Sequence, residues 1–175
     1  MPELIQEEIQ RGWELLNEGK EEEALRLAAE FEKKSDLSPE EKLRIQILKV
    51  NIHYSIGHPE EAFKIAEETY REYEKLGNDF LLIDAINLKL KSLIDQRQMT
   101  SKLSFNLIKR GEIIFKSISN RSQSEIAIKE AKFLYLKSVI YQILGDNNLA
   151  MDCNKRSLEL IDQFNIDKLE DQKYR

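Results

Sequence analysis

Apolar residues recur every three or four positions along almost the whole chain. In the first segment Ile5, Ile9 and Trp13 keep this spacing, which places them on one face of a helix. Short polar breaks, most of them with glycine or proline, separate eight segments of this kind. The pattern therefore predicts an all-α fold of eight helices joined by short loops. The helices group into the approximate units 3–35, 38–76, 79–118 and 123–163.

Local signals mark where some of these helices begin and end. Ser38 can cap a helix whose first position is Pro39, and Glu41 can return a hydrogen bond to the cap. These three residues predict a helix start. After the last unit the stretch 165–175 is polar, with occasional apolar residues such as Leu169. We expect this stretch to be either a polar tail or the start of a further helix.

The turns within three of the units share one pattern, a glycine followed five residues later by an alanine. The matching pairs are Gly19 with Ala24, Gly57 with Ala62, and Gly145 with Ala150. The third unit has serine at the alanine position and no glycine. A recurring helix pair predicts a solenoid, because one pair alone cannot bury its apolar face. No low-complexity linker interrupts the units, so we expect residues 1–175 to form a single domain.

Further positions recur in the same frame. The fourth unit has Ser138, Tyr141, Gly145, Asp146, Ala150 and Ser157. The other units have Gly12, Leu15, Ala28 and Phe31, then Val50, His53 and Ala66, then Ser92, Asp95, Ser104 and Gly111. Over residues 3–163 the chain thus resembles the tetratricopeptide repeat (TPR) family, which implies a right-handed α-solenoid of four antiparallel helix pairs. Its repeats are longer than the family's roughly 34 residues, so a related helical-pair solenoid is the alternative.

The resemblance also implies a binding site. In the family, the first helix of each pair lines a concave groove that binds peptides and partner proteins. The groove positions carried over to this chain include Trp13, Arg44, Asn51, Tyr54, Lys89, Lys132, Tyr135 and Gln142. Aromatic, amide and cationic side chains of this kind suit peptide binding. Packing explains Trp13 and Tyr54 better than ligand contact does, since aromatic residues are usually largely buried.

One binding mode of the family is not expected here. Its chaperone-binding members grip a terminal carboxylate with lysine, asparagine and arginine side chains. Ile9, Ile47 and Tyr135 occupy positions where that set requires cations or amides. We therefore predict no carboxylate grip of this type.

Charge is distributed unevenly. Residues 1–84 carry 21 acids and 11 bases, a net −10, whereas residues 85–140 carry 4 acids and 11 bases, a net +7. Residues 141–175 carry 7 acids and 5 bases. The basic segment 85–140 predicts either an ordinary solvated surface or a patch for an acidic partner, which could be another copy of the chain. The net charge of −5 and the lack of a recognition motif disfavour nucleic acid.

The sequence shows little that favours catalysis or a bound metal. His53 and His58 are separated by Gly57, so we expect them not to share a helical face. We predict that Cys153, the only cysteine, is a buried apolar residue and that the compartment is reducing. Phosphate loops and Glu-x-x-His pairs are absent. We therefore expect no enzyme activity, no cofactor and no metal.

These observations favour a cytoplasmic scaffold that binds a protein or peptide in its groove. The chain lacks a secretory signal and any apolar stretch of about 20 residues, so we expect no membrane contact. The alternative is a structural or regulatory arm of a larger protein. Such an arm would self-associate through its ends as a homo-oligomer, or bind an acidic partner through 85–140. An enzyme with an unrecognised site is a more distant possibility.

Overall fold

A computed structural model describes residues 2–96, 101–118 and 122–166. Within these ranges every regular element is a helix, which confirms the all-α class. The helices are α1 (Pro2–Asn17), α2 (Glu21–Glu32), α3 (Pro39–Ser55), α4 (Pro59–Leu76), α5 (Asp79–Asp95), α6 (Ser101–Ser117), α7 (Gln123–Ile143) and α8 (Asn147–Phe164). They agree closely with the eight predicted segments. The expected third inner turn and the apolar Leu169 lie outside the described residues.

The chain divides into two compact units, residues 1–76 and residues 77–175. In the N-terminal unit, α1 packs against α2 and α3, and α3 packs against α2 and α4. In the C-terminal unit, α5 packs against α6 and α7, and α7 packs against α6 and α8. The N-terminal unit carries 19 acids and 11 bases and the C-terminal unit 13 acids and 16 bases, net charges of −8 and +3.

The predicted start of α3 is confirmed in detail. The Ser38 hydroxyl accepts a hydrogen bond from the Glu41 backbone N–H at 3.2 Å, and the Glu41 carboxylate accepts one from the Ser38 N–H at 2.7 Å. Together they satisfy two backbone donors that the helix itself leaves unpaired. From α4, the buried Tyr73 donates its hydroxyl hydrogen to the Pro39 carbonyl. The start of α3 is thereby joined to α4.

Three inner turns repeat the same geometry. Gly19, Gly57 and Gly145 have φ of 73°, 77° and 84°, which residues with a side chain rarely adopt. The residue after each glycine donates its N–H to a carbonyl five residues earlier, at 2.8, 2.8 and 2.9 Å. These bonds define the same helix-ending motif after α1, α3 and α7. The alanine five residues after each glycine is buried.

Small residues allow close contact between helices at two places. A Cβ added to Gly12 of α1 would lie 2.5 Å from Leu48 Cδ2 of α3. A Cβ added to Gly111 of α6 would lie 2.5 Å from Phe133 Cε2 of α7. Phe133 is itself buried and contacts Phe115 with ring centroids 5.3 Å apart. The space opposite Gly111 is therefore filled by a ring that has little room to move.

The first prediction concerns Gly111. Gly111→Ala is expected to destabilise the protein by about 1–2 kcal/mol, because overpacking against Phe133 outweighs the helix propensity gained from alanine. Urea unfolding would measure the change. Asn106→Ala, on the exposed face of the same helix, is the control and should change stability by less than about 0.5 kcal/mol. An alanine at position 111 that stabilises the protein would contradict the close contact.

Candidate functional site

The predicted groove row on α7 lies at the surface. Lys132, Tyr135 and Gln142 are exposed and Val139 is half-buried. Tyr135 keeps 57 % of its surface accessible, which is unusual for an aromatic side chain in a folded protein. The spacing of three and four residues places the whole row on one side of the helix. This side of α7 can therefore contact a partner without any rearrangement of the fold.

The buried residues of α7 flank the groove row. Phe133 and Ile140, seven residues apart, share one buried side of the helix. Ser138 is also buried, although it is only three residues after Tyr135 of the row. Its hydroxyl lies 2.7 Å from the Tyr135 carbonyl and 3.0 Å from Asn154 Oδ1 of α8. The contact with α8 therefore borders the row and leaves the row's own side chains at least partly accessible.

In the N-terminal unit the predicted residues are engaged within the fold. Trp13 is partly buried and packs against the apolar core, as the packing interpretation predicts. The Arg44 guanidinium forms an ion pair with Glu40 at 2.9 Å. The Asn51 amide donates to the Ile47 carbonyl at 2.7 Å, within its own helix, and Tyr54 is half-buried. Ile9, also carried over as a groove position, lies in the core instead.

The row predicted on α5 requires a correction. Lys89 is only 5 % exposed, and its row neighbours Ile86 and Leu93 are buried. Most positions of α5 are buried, on every side of the helix, because its sequence is apolar at most positions. The repeat assignment expected the first helix of each pair to expose its groove positions, whereas α5 leaves mainly a narrow stripe from Asp84 to Asp95 at least partly accessible, on another side of the helix. Lys89 cannot reach a partner from this position.

The basic segment separates into cations with different surroundings. Lys129 pairs with Asp84 and lies 4.2 Å from the centre of the Phe80 ring. Lys137 donates to Glu112 at 2.6 Å. Four cations are exposed on α6, namely Lys102, Lys109, Arg110 and Lys116, whereas Arg97 and Arg121 lie outside the described residues. The sequence could not distinguish these environments, because they depend on which acids the neighbouring helices bring close.

Cys153 is buried, as predicted. Burial raises the pKa of its thiol, and the nearby Lys137 ammonium opposes that shift only in part. The thiol is therefore protonated near neutral pH, and a thiolate is the form that reacts as a nucleophile or binds metal.

The two histidines share no helical face, as predicted, because His58 follows the end of α3, yet their rings lie close together. Their ring centroids are 6.2 Å apart, because the turn at Gly57 brings His58 back beside His53. The His58 backbone N–H donates to the His53 carbonyl at 2.8 Å. The described part of the chain has no group of three or more His, Cys, Asp or Glu side chains that could hold a metal ion. His53 Nδ1 is buried and has no hydrogen-bond partner among the described residues.

Burial lowers the pKa of His53 below its ordinary 6.5. The Glu61 carboxylate opposes this shift in pKa, and the charges of His58 and Lys49 add to it. A lowered folded-state pKa means that the neutral form stabilises the fold above about pH 6.5 and that this contribution is lost as pH falls. The free energy of unfolding is therefore expected to decrease from about pH 7 to pH 5.5, with a smaller decrease in His53→Gln. Urea unfolding at several pH values would measure it.

His58→Gln is the matched control. It should retain most of the pH dependence, because burial, the largest cause of the His53 shift, is unchanged. Proton NMR of the imidazole signals gives a direct measurement. A His53 titration midpoint at or above 6.5 would contradict the expected shift.

None of the helices in the described ranges is both long and apolar enough to cross a membrane. No protein-family model, curated protein or solved structure matches this chain significantly. The resemblance to tetratricopeptide repeats therefore stays a prediction that rests on the residues themselves.

Proposed function

We propose that this chain is a TPR-like interaction module that binds a segment of a partner protein. The observation that carries the proposal is the accessible row on α7, centred on Tyr135. A tyrosine offers a large contact area with few rotamers to restrict, so aromatic side chains of this kind often dominate binding energy. We propose no catalytic role.

The chemistry of the row suits an extended peptide. Gln142 presents both an amide donor and a carbonyl acceptor, which match the two hydrogen-bonding groups of a peptide backbone. Lys132 adds a cation at one end of the row, and the half-exposed Val139 adds an apolar contact in its middle. Aromatic, amide, cationic and apolar groups thus alternate along one side of α7.

We propose a right-handed solenoid of antiparallel pairs as the architecture behind this site, and three features support the stacking of helix pairs. The first helices of consecutive pairs contact each other, α1 with α3 and α5 with α7. The small-residue positions of the repeat are buried in all four pairs, at Gly12, Val50, Ser92 and Ser138. The three equivalent turns share one hydrogen-bond pattern. All three features are typical of stacked helix pairs.

The test uses a photo-cross-linking amino acid, p-benzoylphenylalanine, in place of Tyr135 in cells that make the protein. A discrete protein adduct is expected at this position. Adding Lys132→Ala and Gln142→Ala should lower its yield about fivefold, because both side chains contact the same partner. Mass spectrometry would identify the adduct and measure its yield.

The matched control places the cross-linker at Leu158 of α8, which is 60 % exposed and lies outside the row. Little or none of the same adduct is expected there. Equal yields at both positions, or a yield at Tyr135 that the alanine substitutions leave unchanged, would contradict a site on α7.

Self-association is a second candidate, because opposite net charges of −8 and +3 fall on the two units. Light scattering at low and high salt would test it. An assembly held by these charges should dissociate as salt screens them. A monomer at both salt concentrations would exclude assembly through the two units.

A further inference from the structure

Helix α6 has two very different sides. Its buried side consists of Ser104, Leu107, Ile108, Gly111 and Ile114, at the spacing expected for a helix packed into a fold. Its outer side carries Lys102, Leu103, Phe105, Asn106, Lys109, Arg110, Ile113 and Lys116, all of them exposed. We name these eight residues the α6 face.

The α6 face contains four cations and no acid. The only acid of the helix is Glu112, which is spaced to pair with Lys109 or Lys116 along the helix. Its carboxylate instead accepts a hydrogen bond from Lys137 of α7 at 2.6 Å. Within the described residues, none of the four cations of the α6 face forms an ion pair.

Three arginines in the N-terminal unit behave differently. Arg11, Arg44 and Arg71 each pair with a glutamate on their own helix, at 3.2, 2.9 and 3.0 Å. Such pairs reduce the positive charge that a helix presents to solvent. The α6 face lacks them, so its charge is available to an outside partner.

Large apolar side chains are interspersed with these cations. Ile113 is 51 % exposed and Phe105 is 42 % exposed, and Leu103 is also accessible. The Phe105 ring contacts Tyr141 of α7, with centroids 6.0 Å apart, which limits the freedom of its exposed ring. Exposed apolar side chains of this size do not improve the hydration of a surface. Exposed apolar side chains that are rimmed by polar groups mark interaction sites.

We propose that the α6 face binds an acidic amphipathic segment of a partner protein. Its glutamate or aspartate side chains pair with the four cations, and its apolar side chains cover Ile113 and Phe105. The cations span 14 residues of helix, about 21 Å, which matches a partner helix of about four turns. This proposal rests on the function proposed above, that the chain is an interaction module. It adds a second binding surface, on α6, that is distinct from the row on α7.

The observations favour this occupant over three others. A second copy would offer its acidic N-terminal unit, but Leu76 is the only large apolar side chain exposed among those described there. A membrane surface requires apolar residues in one stripe, whereas Leu103 and Phe105 lie on opposite flanks of the α6 face. Nucleic acid would pair with the cations but leave Ile113 without an apolar partner.

The experiment measures fluorescence anisotropy with a labelled synthetic peptide of about 18 residues that carries leucine on one helical side and glutamate on the other. Binding to the full chain is expected, and it should weaken about tenfold between about 50 and 300 mM salt. Versions with glutamine for glutamate, or alanine for leucine, should each bind about tenfold more weakly. Absence of binding up to about 1 mM peptide would overturn the proposal.

The chain offers a matched pair of variants. Lys109→Glu with Arg110→Glu reverses two cations of the α6 face, and Lys155→Glu with Arg156→Glu reverses the same exposed dipeptide on α8. The first variant should weaken peptide binding about tenfold or more, and the second by less than about twofold. Circular dichroism and thermal unfolding would confirm that both remain folded. Equal losses in the two variants would mean that net charge, and not the α6 face, binds the peptide.

Further outcomes separate this proposal from the function proposed above. Loss of peptide binding in Tyr135→Ala/Gln142→Ala, with binding kept in Lys109→Glu/Arg110→Glu, would place the peptide on α7 and overturn the α6 proposal alone. If the cross-link at Tyr135 fails while the α6 face still binds the peptide, only the proposed α7 site is contradicted. Tighter binding of single-stranded DNA, phosphatidylserine vesicles or a second copy, lost in Lys109→Glu/Arg110→Glu, would assign the α6 face to that ligand instead.

Discussion

Each helix of this chain carries apolar side chains that a neighbouring helix must shield from water. This burial depends on close contact between the helices. Gly12 leaves room for Leu48, and Gly111 leaves room for Phe133. Dispersion forces act only at short range, so a gap of one methyl group at either place would lose much of the packing energy. The exposed rows follow from this arrangement, because each helix can present to solvent only what its neighbours do not cover.

The same constraint decides which charged residues are accessible. Lys89 lies on a helix buried on nearly every side, and Lys129 and Lys137 are engaged by acids of neighbouring helices. Because Lys137 engages Glu112, it also leaves the cations of the α6 face without an acid on their own helix. The basic segment 85–140 therefore exposes its positive charge mainly on α6, where packing leaves no acid to pair with the cations.

Predictions that depend on neighbouring residues in sequence agree well with the structure. The cap at Ser38 and the turn at Gly57 form as expected, because their hydrogen bonds join residues only a few positions apart. The exposed position of Tyr135 also agrees with the repeat frame. The repeat assignment was wrong at Lys89, where the surroundings of α5 set the burial. The sequence also did not indicate that the Gly57 turn brings the rings of His53 and His58 close together.

The sequence by itself determined the helix content, the helix ends, the recurring turns and the inner face of most helices. These depend on backbone hydrogen bonds and on a period of 3.6 residues, both of which act within a single segment. Only the tertiary structure decided that α5 is buried on nearly every side, that Glu112 pairs with Lys137, and that four cations of α6 stay exposed. Those outcomes depend on which helices pack against each other, and that packing is set by residues far apart in sequence.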